Sequence, residues 1–323
     1  MLTQPSGFKR SICLKTDCMK PTFILLLALS IGAASCQKEL SRVKTEAPVE
    51  NIFAAMEAQQ PAPQRFTISA AATSTVSGPR GTRVTVPANA FVTPSGAAVT
   101  GNVTLELKEI YDVWEMVVNN KFTQVGLTPI ESGGQFFIRA TQNGQELKLA
   151  PGARLQAALP AAATLPGMEV FTGSSFDTAG RSIFSWQLAA NPATDNVTFG
   201  VDSAGLQHYL MQFTMLGWIN CDRFLNEPLH KAQVTIANAQ PNEQVGVLVH
   251  FDGMKSVMQL WNEGGTFTGS IPARPVTFIA VSNRGGQTYA AFQSVQAQPG
   301  QTHALTLAPI SEAAFGERLK SLN

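Results

Sequence analysis

Cysteine is scarce in this 323-residue chain, which has four in total. Cys13 and Cys18 precede an apolar segment, Cys36 follows that segment directly, and Cys221 is the only one further along. If Cys36 carries a lipid and the residues before it are removed, Cys221 has no partner for a disulfide. A small fold held together by disulfides is therefore excluded, and stability is expected to come from apolar cores.

Charge is also sparse. Lys, Arg, Asp and Glu make up 14% of the residues, and the formal net charge at pH 7 is +1. Four basic residues and one acidic residue precede Cys36, so the formal charge falls from +1 to −2 when residues 1–35 are removed. A nearly neutral chain without clustered Lys and Arg lacks the electrostatic footprint of nucleic-acid binding. We therefore predict no nucleic-acid partner.

Common catalytic and cofactor motifs are missing as well. The chain has no Gly-rich phosphate loop, no Gly-x-Ser-x-Gly elbow and no calcium loop dense in Asp and Asn. Its histidines fall on separate predicted elements without the spacing of a zinc site. They are His208, His230, His250 and His303. His250 is expected on the solvated face of its strand, opposite the face that carries the valines. The sequence thus predicts no catalytic residue, no cofactor and no metal site, and it favours a protein that is not an enzyme.

An enzyme with an unrecognised site stays open as a less favoured alternative. Cys221 and a histidine, either His208 or His230, would form a thiol nucleophile and its base if the fold brought them together. A buried, structural cysteine is the simpler interpretation. Four acidic residues near one predicted strand could supply the pair of carboxyl groups of a glycosidase, but such a pair must face each other across a cleft at a set separation. Their contribution to the solubility of the surface is the simpler explanation. They are Glu106, Glu109, Asp112 and Glu115.

The apolar stretch near the start is too short to cross a membrane as a helix. Phe23 to Ala34 spans 12 residues, whereas a transmembrane helix needs about 20. Lys20 precedes the stretch, and the small residues Ala33, Ala34 and Ser35 stand directly before Cys36, which is the layout of a bacterial lipoprotein signal. We predict a signal peptide over residues 1–35, with translation starting at Met19, and lipidation of Cys36.

Residues 36–65 are expected to form the lipidated start and a flexible tether, because they are rich in Pro and Gln and lack periodic hydrophobicity. Gln37 to Glu39 resembles the export signal that sends Bacteroidota lipoproteins to the outer face of the outer membrane. That resemblance implies an outer-membrane lipoprotein at the cell surface. The inner leaflet stays the alternative location.

From residue 66 to residue 200 the dominant hydrophobic period is two. Val103, Leu105 and Leu107, for example, alternate with polar residues, as half-buried strands do. Turn signals separate such runs, and the sharpest is Asn143–Gly144, which suits a two-residue hairpin. The pattern predicts an antiparallel β-sandwich domain over 66–200.

Residues 201–323 show the same period and then a helical ending. One long strand is expected to run from Met211 to Ile219. Ser311 is placed as an N-cap before Phe315 and Leu319, which share a helix face. The predicted fold class is all-β, with two antiparallel β-sandwich-like domains and a short C-terminal helix.

Several segments carry a family resemblance. Gly81 to Phe91, followed by Val99 to Leu105, resembles the start of the β-sandwich domain of ankyrins and netrin receptors. A longer similarity, through Ser132–Phe136 and Gly217–Phe224, is to an uncharacterised group of Bacteroidota surface lipoproteins. The resemblance implies a β-sandwich and a surface location, and it transfers no catalytic residue.

Two tripeptides resemble the O-glycosylation site of exported Bacteroidota proteins. Thr178 lies in Asp177–Ala179 and Ser203 lies in Asp202–Ala204, both in predicted loops. Plain turn formation is the alternative explanation.

The expected role is that of a non-catalytic lipid-anchored envelope protein that binds, adheres or scaffolds. Its partners would be the outer membrane, through the lipid, and an envelope protein or a glycan. An accessory glycan-binding lipoprotein is the alternative, and it would present an exposed row of aromatic rings. The candidates for that row are Tyr111, Trp114, Trp186, Tyr209, Trp261 and Tyr289.

Overall fold

The computed structural model describes residues 60–178 and 181–322, without the side chains of residues 176–183. All of these residues belong to one compact unit. The fold is all-β, with several antiparallel sheets and a short C-terminal helix, which confirms the predicted fold class. Cys36 and most of the expected tether lie outside the described residues.

The strands and helices follow each other along the chain with short turns between them. The strands are β1 (Gln64–Ser69), β2 (Ser74–Ser77), β3 (Arg83–Val86), β4 (Phe91–Val92), β5 (Asn102–Ile110), β6 (Gln124–Val125), β7 (Thr128–Gln142), β8 (Gln145–Glu146), β9 (Lys148–Leu149), β10 (Leu155–Ala161), β11 (Glu169–Thr178), β12 (Arg181–Leu188), β13 (Asn196–Val201), β14 (Gln207–Phe213), β15 (Gly217–Phe224), β16 (Leu229–Ile236), β17 (Val245–Phe251), β18 (Val257–Glu263), β19 (Thr266–Pro272), β20 (Pro275–Arg284), β21 (Gln287–Gln296), β22 (Thr302–Leu305) and β23 (Ala308–Pro309). The helices are α1 (Val113–Val118) and α2 (Glu312–Lys320).

Two sheets pack face to face in the first part of the chain. The first sheet has the strand order β1-β5-β7-β15-β11-β12, and the second, five-stranded sheet has the order β13-β14-β10-β3-β2. Their inner faces share one apolar core, in which the rings of Phe136 and Phe213 meet edge to face at 5.5 Å. The alternation seen in the sequence produces this core, because every second residue of each strand points to the same side.

The third sheet curls around a core of its own. Its strand order is β22-β16-β19-β18-β17-β20-β21-β23, and it is antiparallel apart from the β16–β22 pair. Strand β18 turns the corner, because Val257 to Leu260 pair with β17 whereas Trp261 to Glu263 pair with β19. The two ends of the sheet thereby face each other across the buried core.

The boundary expected at residues 200 and 201 does not match the sheets. Strands β14 and β15 lie beyond it, yet they belong to the second and first sheets, and the third sheet begins at Leu229. The single long strand expected from Met211 to Ile219 is also wrong. The chain leaves one sheet at Phe213 and enters the other at Gly217, whose φ of 112° is a conformation that favours glycine.

The two helices fill the junction between the first sandwich and the third sheet. Phe315 and Leu319 of α2 pack with α1 against one face of the third sheet, and Ser311 caps α2 as predicted, accepting from the Ala314 N–H at 3.1 Å. Hydrogen bonds cross the same junction. The fully buried Thr123 hydroxyl contacts both backbone groups of Val257, at 3.0 and 2.8 Å. The two parts are thus joined by an apolar and hydrogen-bonded seam.

Candidate functional site

The predicted modification sites are only partly covered by the described residues. Ser203 is exposed in the turn between β13 and β14, where a modification would be accessible. Thr178 ends β11 and pairs with Arg181, so its tripeptide lies at a hairpin whose tip is outside the described residues. Whether either residue is glycosylated stays a prediction, as does the lipidation of Cys36.

The thiol of Cys221 is enclosed in the core of the first sandwich. The residue is fully buried, and burial followed by the charge of Asp222 raises the pKa of the thiol well above its usual range. A protonated thiol is a poor nucleophile. Among the described residues, no hydrogen bond joins Cys221 to a histidine, and His208 bonds instead to the Leu206 carbonyl at 3.0 Å.

The other histidines also lie apart, on β16, β17 and β22. His250 was expected on a solvated face, but it is 1% exposed, because helix α2 and its neighbours cover that side of the third sheet. His303 stacks on Phe278 with the ring centroids 4.9 Å apart. Within the described part of the chain, no group of three or more His, Cys, Asp or Glu is placed to hold a metal ion.

The acidic residues around β5 all have structural contacts. Glu106 pairs with Arg65 and Arg139, and the Glu109 carboxylate accepts from the backbone N–H groups of Arg80 and Thr82. The other two form the N-terminal capping box of α1 and both pair with Arg80; these are Asp112 and Glu115. Their ion pairs and caps account for these carboxylates without a cleft.

The exposed aromatic row that the glycan-binding alternative would present does not form. Tyr111, Trp186 and Tyr209 are buried, at 5%, 0% and 2% exposure, and the Tyr209 hydroxyl accepts from the Leu165 N–H. Trp114 and Trp261 are half-buried. Tyr289 is half-buried as well, and it packs under the Arg284 guanidinium. These rings build cores and junctions and present no exposed platform.

The outer side of the five-stranded sheet carries a continuous row of polar side chains. We call this outer side the polar face. One row of directly opposed residues crosses all five strands and consists of hydroxyl and amide side chains. From β2 to β13 the row reads Thr75, Thr85, Gln156, Gln212 and Asn196. Strand alternation places all five on the outer side, because their sequence neighbours Val84, Ala157 and Met211 point into the core.

Three amides in this row have no hydrogen-bond partner among the described residues. Gln156, Gln212 and Asn196 lie on three adjacent strands, and no hydrogen bond joins their side chains to another described group. Thr75 and Thr85, by contrast, hydrogen-bond to each other at 2.9 Å. An amide side chain offers two donors and a two-lone-pair acceptor. The row therefore presents unused hydrogen-bonding groups of both kinds on a fixed sheet.

The neighbouring row completes a shallow concave surface of about 300 Å³. This row contains Arg83, Ala158, Leu210 and Thr198, so it places two aliphatic side chains between polar ones. Leu210 is 40% exposed. The surface combines a small apolar floor with polar walls.

The surface is nearly neutral. Among the described residues that line it, Arg83 alone is charged, and its Nη1 lies 3.9 Å from an Asp202 carboxylate oxygen at the edge. The backbone N–H of Leu206, at 3.0 Å, and then that of Ala204, at 2.9 Å, donate to Asp202 and lower the pKa of its carboxyl. Asp202 is thus ionised at neutral pH and offsets the guanidinium.

Sequence reasoning missed this site. Thr85 and Gln156 alternate with apolar residues in the sequence, as outward positions of a strand do, but the row as a whole depends on strand order. The five strands come from sequence regions as far apart as Thr75 and Gln212, and β14 was assigned to a different domain.

No helix in the described part of the chain is long and apolar enough to span a membrane. No protein-family model matches the chain, and no similar curated protein or solved structure is found. The site is therefore interpreted from its own geometry.

Proposed function

We propose that this protein is a non-catalytic, lipid-anchored envelope protein that binds a partner through the polar face. The observation that supports binding most directly is the row of three amides without a hydrogen-bond partner among the described residues, on a concave, nearly neutral surface. Burial of the Cys221 thiol argues against the alternative of a cysteine enzyme. An adhesive or scaffolding role would use the same face.

The location belongs to the same proposal. The signal over residues 1–35, lipidation of Cys36 and the export signal after it favour an outer-membrane lipoprotein at the cell surface. The tether would hold the sandwich away from the bilayer, and the outer membrane would be a partner only through the lipid. Thr178 and Ser203 remain candidate O-glycosylation sites in this setting.

Site-directed thiol labelling tests both location and binding, because the only free cysteine among the described residues is buried. We would compare Gln212→Cys, on the polar face, with Gln296→Cys, at an exposed position of β21 in the third sheet. A membrane-impermeant maleimide is applied to intact cells and to purified protein, with wild type as background. We expect Gln296→Cys to react in both, and Gln212→Cys to react in purified protein but to be protected on cells.

Two results would contradict the proposal, each in a different part. If Gln296→Cys reacts only after cells are broken, the surface location is wrong. If Gln212→Cys reacts as readily on intact cells as in purified protein, the polar face is unoccupied and binding through it is wrong.

A further inference from the structure

We infer that the ligand of the polar face is a neutral glycan. This inference rests on the proposed binding function and names the class of ligand. Its starting point is the match between side-chain amides and sugar hydroxyls. Each hydroxyl of a sugar both donates and accepts, and an amide side chain does the same. Gln156, Gln212 and Asn196 offer three such groups side by side on neighbouring strands.

The spacing of these groups suits an extended ligand. Adjacent strands lie about 4.8 Å apart, so the three amides span roughly 10 Å across the sheet. Sugar rings joined in a chain present hydroxyl pairs over a comparable length. Since the amides have no partner among the described residues, they bond to water in the free protein. Replacing that water by a hydroxyl breaks no internal hydrogen bond.

The floor beside the amides supplies apolar contact. Ala158 and Leu210 lie opposite each other in the second row, and Leu210 is 40% exposed. The C–H groups of a sugar ring form a weakly apolar face that would cover these methyl groups while the hydroxyls reach the amides. This contact takes the role expected of the aromatic rings, which are buried or half-buried and form no exposed row.

Other classes of ligand fit less well. A nucleic acid or an acidic polysaccharide needs several cations, whereas Arg83 is the only charged residue among the described residues lining the surface, and it faces Asp202. A peptide adding as a strand uses main-chain groups at a sheet edge. The amides of Gln156 and Gln212 instead rise from β10 and β14, which are paired on both sides.

The test is affinity gel electrophoresis of the full chain through native gels that contain a polysaccharide. Neutral galactomannan, glucomannan, xylan and dextran are compared with anionic alginate, at low and high salt. We expect at least one neutral polysaccharide to retard the protein to the same degree at both salt concentrations. Gln212→Ala and Gln156→Ala should each weaken binding by about tenfold. Gln296→Ala, an exposed glutamine on β21, serves as the matched control and should bind as wild type does.

The outcomes separate this inference from the proposed function. Retardation by alginate alone, lost at high salt, would overturn the inference, and so would an absence of retardation by every neutral polysaccharide. Equal loss of binding in Gln212→Ala and Gln296→Ala would place the glycan elsewhere. If the inference fails while Gln212→Cys is still protected on cells, the face binds something other than a neutral glycan and the proposed function stands.

Discussion

Asp222 shows how the surroundings of one residue determine its protonation state in this fold. Its carboxyl, on β15, is fully buried, and Oδ2 accepts from the Asn220 amide at 2.5 Å. Its Oδ1 has no hydrogen-bond partner among the described residues. Burial raises the pKa of this carboxyl well above its usual range, although the nearby Ser132 and the hydrogen bond from Asn220 act in the opposite direction. The folded protein therefore holds a proton that the unfolded chain releases.

We predict that Asp222→Asn becomes more stabilising, relative to wild type, as the pH rises. Below the unfolded pKa, near 4, both states of wild type are protonated and the carboxyl contributes no pH dependence. As the pH rises from there towards the folded pKa, the unfolded state ionises first and the free energy of unfolding falls. Asn cannot ionise, so the stability of the variant relative to wild type should rise from pH 4 upwards, by at most about 1.4 kcal/mol per pH unit.

Urea unfolding of both proteins across this pH range measures the difference. Glu146→Gln, which removes a carboxylate from an exposed position of β8, is the control. A variant that differs from wild type by the same amount at every pH would mean that the buried carboxyl is not protonated in the folded state.

Single residues also mark the limit of sequence reasoning. Asn143 and Gly144 were placed in a hairpin turn, and their φ values of 50° and 78° confirm it. Such a turn depends only on its own backbone. His250 was placed on a solvated face, which is wrong because the helix that covers it comes from more than sixty residues further along. The local backbone conformation of the turn was therefore predictable, whereas the burial of His250, which depends on a distant helix, was not.

At the scale of elements, helix α2 is specified by local sequence and stabilised by tertiary packing. The Ser311 cap and the spacing of Phe315 and Leu319 predicted it, and the structure confirms it. A helix of nine residues is too short to be stable alone in water, since about 12–15 are needed. Its stability must come from docking, where the buried Phe315 ring meets Phe292 with the centroids 5.5 Å apart.

We predict that Phe315→Ala lowers the free energy of unfolding by about 3–5 kcal/mol, because it leaves a cavity in the junction. Denaturant unfolding followed by tryptophan fluorescence measures this loss. The control is Glu317→Ala, which removes an exposed ion pair with Lys320 and should cost less than about 1 kcal/mol. If both variants lost a similar free energy of unfolding, the docking of the Phe315 ring would not be the main source of the stability of α2.

At the scale of the whole molecule, strand alternation predicted an all-β fold, but the arrangement of sheets did not follow from it. The chain between Phe213 and Gly217 passes from one sheet to another, and no periodic signal marks that step. The polar face depends on the same arrangement, since β3, β10 and β14 become neighbours only through long-range pairing. Strand identity is encoded locally, whereas strand order is decided by the competition among many pairings.

The proposed anchor makes a prediction for the molecule in its cell. Wild type should incorporate labelled palmitate and fractionate with the outer membrane, because the thiol of Cys36 would take a diacylglycerol. Cys36→Ala should lose the label and the membrane association, yet keep the fold, since Cys36 lies outside the described residues that form the cores. Cys221→Ala is the matched control, and it should keep the label because its buried thiol is inaccessible to a lipid. A label that persists in Cys36→Ala would contradict the assignment of the anchor. An absence of label in wild type would mean that the protein is exported without a lipid anchor.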